Sequence, residues 1–241
     1  MEQIEQLLKP LIKKCFRIGA IPAEFSEDSR LKTRFAGPVF AKNLEKMPVC
    51  GTCGKELSFV FQFRENPDSD SGDLIQFFYC FHCVPIGVKS EKEQWLTRLY
   101  SENSLAELTK QLNTGESKLR PCLATTNIVN MLPDYESLEE VGHKVVKECE
   151  KIDPEDPWDV YEESCMAMGC DIEPFSSIGG YPIWIQGVAS KKCPECNEKM
   201  EFIAQIDSVP EVGLMWGDAG CVYLFRCKKH KDKFAMEMQC F

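Results

Sequence analysis

Two clusters of cysteine at metal-ligand spacing constrain this chain more than any other feature. The first is Cys50-Gly-Thr-Cys53 with Cys80-Phe-His-Cys83, and the second is Cys193-Pro-Glu-Cys196 with Cys227-Lys-Lys-His230. A pair of short C-x-x-C or C-x-x-H knuckles, each on a tight turn, supplies four donors suited to tetrahedral Zn²⁺ at metal to sulfur distances of about 2.3 Å. The spacing predicts two zinc sites, one held by Cys50, Cys53, Cys80 and Cys83 and one by Cys193, Cys196, Cys227 and His230. Four protein ligands leave no open position for water, so both are expected to be structural and not catalytic. The plainer alternative is a set of reduced, buried cysteines left over from an ancestral site. His82 lies inside the second knuckle of the first cluster, but Cys83 is the residue that matches His230, so His82 is expected to face solvent. Cys15, Cys122, Cys149, Cys165, Cys170, Cys221 and Cys240 share no spacing and read as ordinary thiols, with Cys240 on a terminal strand that could approach a knuckle.

The surroundings of the clusters repeat. With Cys50 laid on Cys193, Gly37 falls on Gly180, Phe59 on Phe202 and Gln62 on Gln205, so 57–63 faces 200–206; after a variable loop, 75–80 faces 222–227. Knuckle, apolar strand, loop, apolar strand and knuckle predict an antiparallel β unit with metal at one end. The period is too long for a solenoid and fits a duplicated half-domain. The expected fold class is α+β, with two duplicated antiparallel β units joined and flanked by helices. The segments are a lead-in at 1–32, a first repeat at 33–90, a helical acidic connector at 91–174 and a second repeat at 175–241, together one compact domain.

Apolar residues at helical spacing predict a helix over 2–17 with a kink at Pro10, two helical pieces through Trp95, Leu96, Leu99, Leu105, Leu108 and Leu112, and another from Leu138 to Cys149 that carries His143. His143 has no visible partner and reads as an ordinary helix residue. Residues 65–73 hold turn formers almost exclusively and predict a surface loop, while Asp153-Pro-Glu-Asp-Pro157 breaks the helical pattern.

A length of 241 residues at 44% hydrophobic is enough for a core that does not depend wholly on metal. No run approaches 18 apolar residues and Met1-Glu-Gln-Ile-Glu5 has no leader character, so no membrane span and a cytoplasmic location are expected. In such a compartment fourteen cysteines favour metal over disulfides. The net charge of −10 is uneven: Asp134 to Glu163 holds twelve Asp and Glu against three Lys, a balance of −9. That charge repels a phosphate backbone, which argues against nucleic acid, and attracts a basic protein partner; its plain alternative is a solvated helix face.

Ser177-Ile-Gly-Gly-Tyr-Pro-Ile-Trp-Ile-Gln186, Cys-Pro-Glu-Cys196, Met200-Glu-Phe-Ile-Ala-Gln-Ile-Asp207, Trp216-Gly-Asp-Ala-Gly-Cys-Val-Tyr-Leu-Phe-Arg-Cys227 and Gln239-Cys240 resemble the YwqG-like proteins, a family of unknown function. Cys50-Gly-Thr-Cys-Gly-Lys-Glu-Leu-Ser-Phe-Val-Phe-Gln62 and Asp73-Leu-Ile-Gln-Phe-Phe-Tyr79 resemble it too, over 33–90 and 175–241 in all. Where that family has Gly-Gly-x-Pro-x-Trp, the first half has Phe35-Ala-Gly-Pro-Val-Phe40, a departure that puts the role of the first loop in doubt. The two-half layout is also similar, distantly, to the programmed cell death protein two family, and that resemblance implies a chaperone of a ribosomal protein client.

A candidate ligand pocket is drawn from Gly179, Gly180, Trp184, Gln205, Asp207, Trp216 and Asp218, because glycine pairs permit close backbone approach and tryptophans can wall a shallow site. Tight turns at sheet edges, with the aromatics in the core, are the competing reading. No phosphate loop, nucleophile elbow or H-E-x-x-H helix is present, and no catalytic residue is assigned. The leading expectation is a zinc-stabilised protein-interaction or chaperone-like module with a basic client. An enzyme or small-ligand binder using the glycine and tryptophan region, and an immunity-type binding protein, are the alternatives.

Overall fold

The computed structural model describes residues 2–83, 94–112, 117–170 and 173–241, and strands dominate them. In chain order the elements are α1 (Glu2–Leu8), β1 (Lys13–Pro22), β2 (Arg34–Phe35), β3 (Val39–Ala41), β4 (Ser58–Asn66), β5 (Ser71–Tyr79), β6 (Trp95–Tyr100), β7 (Lys110–Leu112) and β8 (Cys122–Met131). There follow α2 (Leu138–Val141), α3 (His143–Ile152), α4 (Pro157–Ala167), β9 (Ser177–Gly179), β10 (Glu201–Asp207), β11 (Cys221–Arg226) and β12 (Phe234–Gln239). Ten strands hydrogen-bond in one sheet of order β12-β11-β10-β9-β1-β8-β2-β4-β5-β6, and β3 pairs with β7 apart from it.

This corrects the expected α+β class with two duplicated β units. The fold is mainly β, and the strands of both sequence repeats enter a single sheet. The correspondence between the repeats is local. In the β4–β5 hairpin the register shifts between Phe59 and Phe61, and in the β10–β11 hairpin it shifts between Phe202 and Ala204. The expected end of the first repeat at residue 90 lies outside the described residues.

Part of the predicted helix is strand, for identifiable reasons. Trp95 to Tyr100 pairs along β5, from Tyr79↔Trp95 to Leu74↔Tyr100, so a ladder partner overrides an apolar spacing that by itself fits either period. The helix expected over 2–17 stops at Leu8; a single 3-10 turn carries Pro10, which has no N–H for a continuing helix, and β1 begins at Lys13. The loop expected over 65–73 shrinks to a turn at 67–70, because β4 runs to Asn66 and β5 starts at Ser71. The helix through Leu138 to Cys149 is present as α2 and α3, with Val145, Val146 and Cys149 buried.

The chain forms two compact units. The first comprises 1–18, 127–208 and 216–241; the second comprises 19–126 and 209–215. In the second unit, β4 is buried from Phe59 to Arg64, so both of its faces are covered and the strand reads as a continuous apolar run. The buried polar residue Gln62 donates to the carbonyls of Arg30 and Lys32 at 2.9 Å each and accepts from Gln76 at 3.0 Å. In the first unit, α1, α3 and α4 bury Ile4, Leu8, Val146, Cys149, Tyr161 and Cys165 against one another.

Candidate metal centres and neighbouring cavities

Each cysteine cluster is assembled by two turns. The turn at 50–55 is closed by Cys50 N–H to Lys55 O and Gly54 N–H to Cys50 O, both 2.8 Å, with Gly54 at φ +71°. Its counterpart at 193–198 is closed by Cys193 N–H to Glu198 O at 2.9 Å and Asn197 N–H to Cys193 O at 2.8 Å, with Asn197 at φ +58°. Glycine and asparagine are the residues that tolerate this left-handed conformation, which explains Gly-Lys after one Cys pair and Asn-Glu after the other. The second knuckle of each cluster follows an inner strand, β5 or β11, which delivers Cys80 and Cys227 directly from the core.

The turns bring all eight expected ligands together in two groups of four, and within each group the donor atoms lie within 4.8 Å of one another. Sγ of Cys50 is 3.7 Å from Sγ of Cys83, and Sγ of Cys53 is 3.7 Å from Sγ of Cys80. In the other group Cys196 and Cys227 are 3.6 Å apart, and Nδ1 of His230 is 3.5 Å from Cys193 and 3.8 Å from Cys227. Both groups can hold a metal ion. His82 stays outside the first group, exposed, with Nδ1 3.4 Å from Lys55 Nζ. Cys240 packs against Gly217 and belongs to neither group.

The polar surroundings suit thiolate ligands. Burial pushes the Cys193 thiol up, but the N–H groups of Cys196 and Glu195, with His230 and Cys227, outweigh it and bring it down to about 6. Burial likewise raises Cys50, and the N–H groups of Cys53 and Thr52 with the neighbouring thiols lower it to about 7. Cys83, by burial and by the other three sulfurs, is pushed up to about 12, so in each metal-free group the first negative charge settles on one sulfur. His230 turns Nδ1 to the sulfurs while Nε2 lies 3.5 Å from Oε2 of Glu195, the outer-shell carboxylate that fixes ring orientation in metal-bound histidines. Glu195 also accepts from Lys233 Nζ at 2.9 Å.

The seven residues of the expected pocket do not converge on one site. Gln205 is fully buried: its Nε2 donates to Phe175 O at 2.6 Å and its Oε1 accepts the Ile183 N–H at 3.0 Å, so its amide pins backbone. Trp216 is 1% exposed and belongs to the core, whereas Asp218 is exposed, its carbonyl accepting from Phe241 N–H at 3.1 Å. Asp207 accepts from Ser208 N–H at 2.8 Å, and burial raises its carboxyl above the ordinary range. Gly179 and Gly180 have φ of +75° and +80°. Gly180 and Trp184 line a groove of about 600 Å³ in the first unit that also carries Lys13 and Glu201 and none of the other five.

The family assignment rests on residues 33–235, which match a domain of unknown function, DUF1963. The chain belongs to the DUF1963 family. None of the curated proteins compared with it matches. The DUF1963 segment includes both cysteine groups in full, so the candidate metal ligands belong to the family domain itself.

A second cavity of the first unit, about 220 Å³, escaped sequence reading. Tyr135, Trp158, Tyr161 and Trp184 line it together with Asp134 and Glu162. Asp134 clasps the chain, with Oδ1 accepting from Ser137 N–H at 2.8 Å and Oδ2 from Trp184 N–H at 2.9 Å, and burial raises its carboxyl above the ordinary range. Trp184 completes the clasp by donating Nε1–H to Ser137 Oγ at 3.1 Å. These residues are scattered from 134 to 184 on a helix and two loops, and the acidic segment holding five of the six registers in sequence as charge alone. The one local signal was aromatic residues beside acids and prolines, in Pro133-Asp-Tyr135 and Pro157-Trp-Asp159.

Proposed function

We propose that this DUF1963 protein is a zinc-stabilised binding module that recognises a basic protein through the acidic helical face of its first unit. The metal part is carried by the donor geometry. Four ligands placed tetrahedrally about one ion at about 2.3 Å put neighbouring sulfurs about 3.8 Å apart. The sulfur separations of 3.6 to 3.7 Å fit that edge. All-protein ligand sets of this kind serve folding, with apparent zinc affinities of about 10 to 16 kcal/mol. Zinc is favoured over iron or copper because the second set mixes three thiolates with one imidazole, a tetrahedral S₃N environment.

The partner reading is supported by one observation above the rest: the −9 segment folds largely as α2, α3 and α4, which bury one apolar face and leave most of the charge outside. Glu139, Glu140, Glu150, Glu155, Asp156, Asp159 and Glu163 are exposed, while Leu138, Val145, Val146, Val160 and Cys165 enter the core. The distant resemblance to the programmed cell death protein two family supports the same reading. Thiolate ligands, which need reducing conditions, support a cytoplasmic setting; among the described residues no helix is long and apolar enough to cross a membrane. Changing Glu155, Asp156, Asp159 and Glu163 together to their amides tests the reading with a ten-residue polylysine probe. Binding should fall at least tenfold and the remaining affinity should lose most of its salt dependence; unchanged binding would reject it. A second reading, a small-ligand binder, rests on the 600 Å³ groove at Gly180 and Trp184.

A further inference from the structure

The 220 Å³ cavity has a composition that selects its occupant. Its lining holds two carboxylates, Asp134 and Glu162, and among the described residues no lysine or arginine. Half of its apolar lining is aromatic: the Tyr135 ring lies 5.6 Å from that of Trp158 at 53° and 5.7 Å from that of Tyr161 at 59°, a tilted cluster of rings at the cavity. Trp158 is 43% exposed, although it is the largest side chain type and sits beside an apolar hollow. Half-buried Glu162 pairs with no lysine or arginine among the described residues.

An anion is repelled by this lining. A neutral apolar ligand would strip water from two carboxylates and leave them without a counterion. A cation with a flat apolar surface satisfies both parts, since ring faces attract positive charge and carboxylates accept its hydrogen bonds. Asp134 accepts one backbone N–H on each oxygen and a hydrogen bond from the Ser137 side chain, and a carboxylate has about four lone-pair sites, so one acceptor position remains. Size narrows the choice further. Sites for drug-sized molecules run from about 300 to 1,000 Å³, so 220 Å³ suits a single side chain.

We propose that this cavity receives one arginine side chain of the basic partner, its guanidinium stacked on Trp158 and paired with Glu162. Arginine is preferred over lysine because its planar fork stacks on rings, is more weakly hydrated and offers five donors to two carboxylates. The inference rests on the basic-partner reading and gives it a point of specificity: exposed charge on α3 and α4 attracts, and the cavity chooses.

An NMR titration of the full chain tests it with a capped pentapeptide carrying one arginine between glycines, beside the same peptide with lysine or norleucine. The arginine peptide should bind saturably and shift the Trp158 and Trp184 indole signals. Lysine should weaken it about fivefold and norleucine should abolish it. Trp158→Ala and the isosteric Glu162→Gln should each weaken it at least tenfold, the second without disturbing packing. Equal binding of arginine and norleucine peptides, or indifference to both substitutions, overturns the proposal. Binding of polylysine without binding of the arginine peptide overturns it while leaving the acidic-face reading intact. Arginine-peptide binding with polylysine affinity unchanged in the amide variant supports the cavity and removes the acidic face.

Discussion

Single residues in the first unit show how little of the glycine and glutamine chemistry is available to a ligand. A Cβ on Gly180 would lie 2.7 Å from Met131 Sδ and 2.8 Å from Cys15 Cβ, at a φ of +80° that side chains rarely adopt. Gly179 has nearly the same φ, +75°, but nothing within 4 Å of the added carbon. Gly180→Ala should therefore cost about 3 kcal/mol, the sum of left-handed strain and overpacking, and Gly179→Ala about 1 kcal/mol from strain alone. Urea denaturation of the two variants measures the difference. Gln205→Leu should cost about 3 kcal/mol by the same measurement, because the Ile183 N–H and the Phe175 carbonyl lose their partner in a buried setting. The null outcome for Gln205, a stability change below about 0.5 kcal/mol, would mean that its amide is free for another task.

Among elements, the knuckles and inner hairpins were the most legible in sequence and the outer strands the least. Cys-x-x-Cys followed by Gly or Asn encodes its turn through φ, and Phe-Val-Phe-Gln-Phe63 has no helical amphipathy to confuse it with. Trp95-Leu-Thr-Arg-Leu-Tyr100 became a strand only through its ladder with β5, information that no local pattern contains. The convergence of the knuckles was readable because metal chemistry fixes ligand number; the failure of the seven pocket residues to converge was not, because burial of Trp216 and Gln205 is a property of the sheet they enter. The knuckles also predict a pH response in metal-free protein. Cys193 and Cys50 are depressed from 9.0 to about 6 and about 7, so their contribution is complete above about 9 and fades as pH falls toward 6. Cys83 is raised to about 12, and its contribution is complete below 9 and constant over that window. Metal-free protein should therefore be less stable at pH 6 than at pH 8 by denaturant titration, and a Cys193→Ser, Cys50→Ser variant should lose most of that slope.

For the whole molecule, a β sheet with one group of four candidate ligands in each compact unit leaves the helices of the first unit free to carry a charged surface. The segment from Asp134 to Glu163 accounts for −9 of a net −10, and it lies wholly in that unit. Cys53→Ser should remove one metal from the second unit and Cys196→Ser one from the first, each leaving the other group loaded, since the two sets share no ligand. Amide exchange should then quicken at the altered knuckle and stay slow in the β4–β5 or β10–β11 hairpin of the unaltered unit. The most direct test of the account is elemental analysis of protein purified without added metal. It should return two zinc atoms per chain, one for each group of four ligands; a value near zero, with the chain still folded, would contradict it.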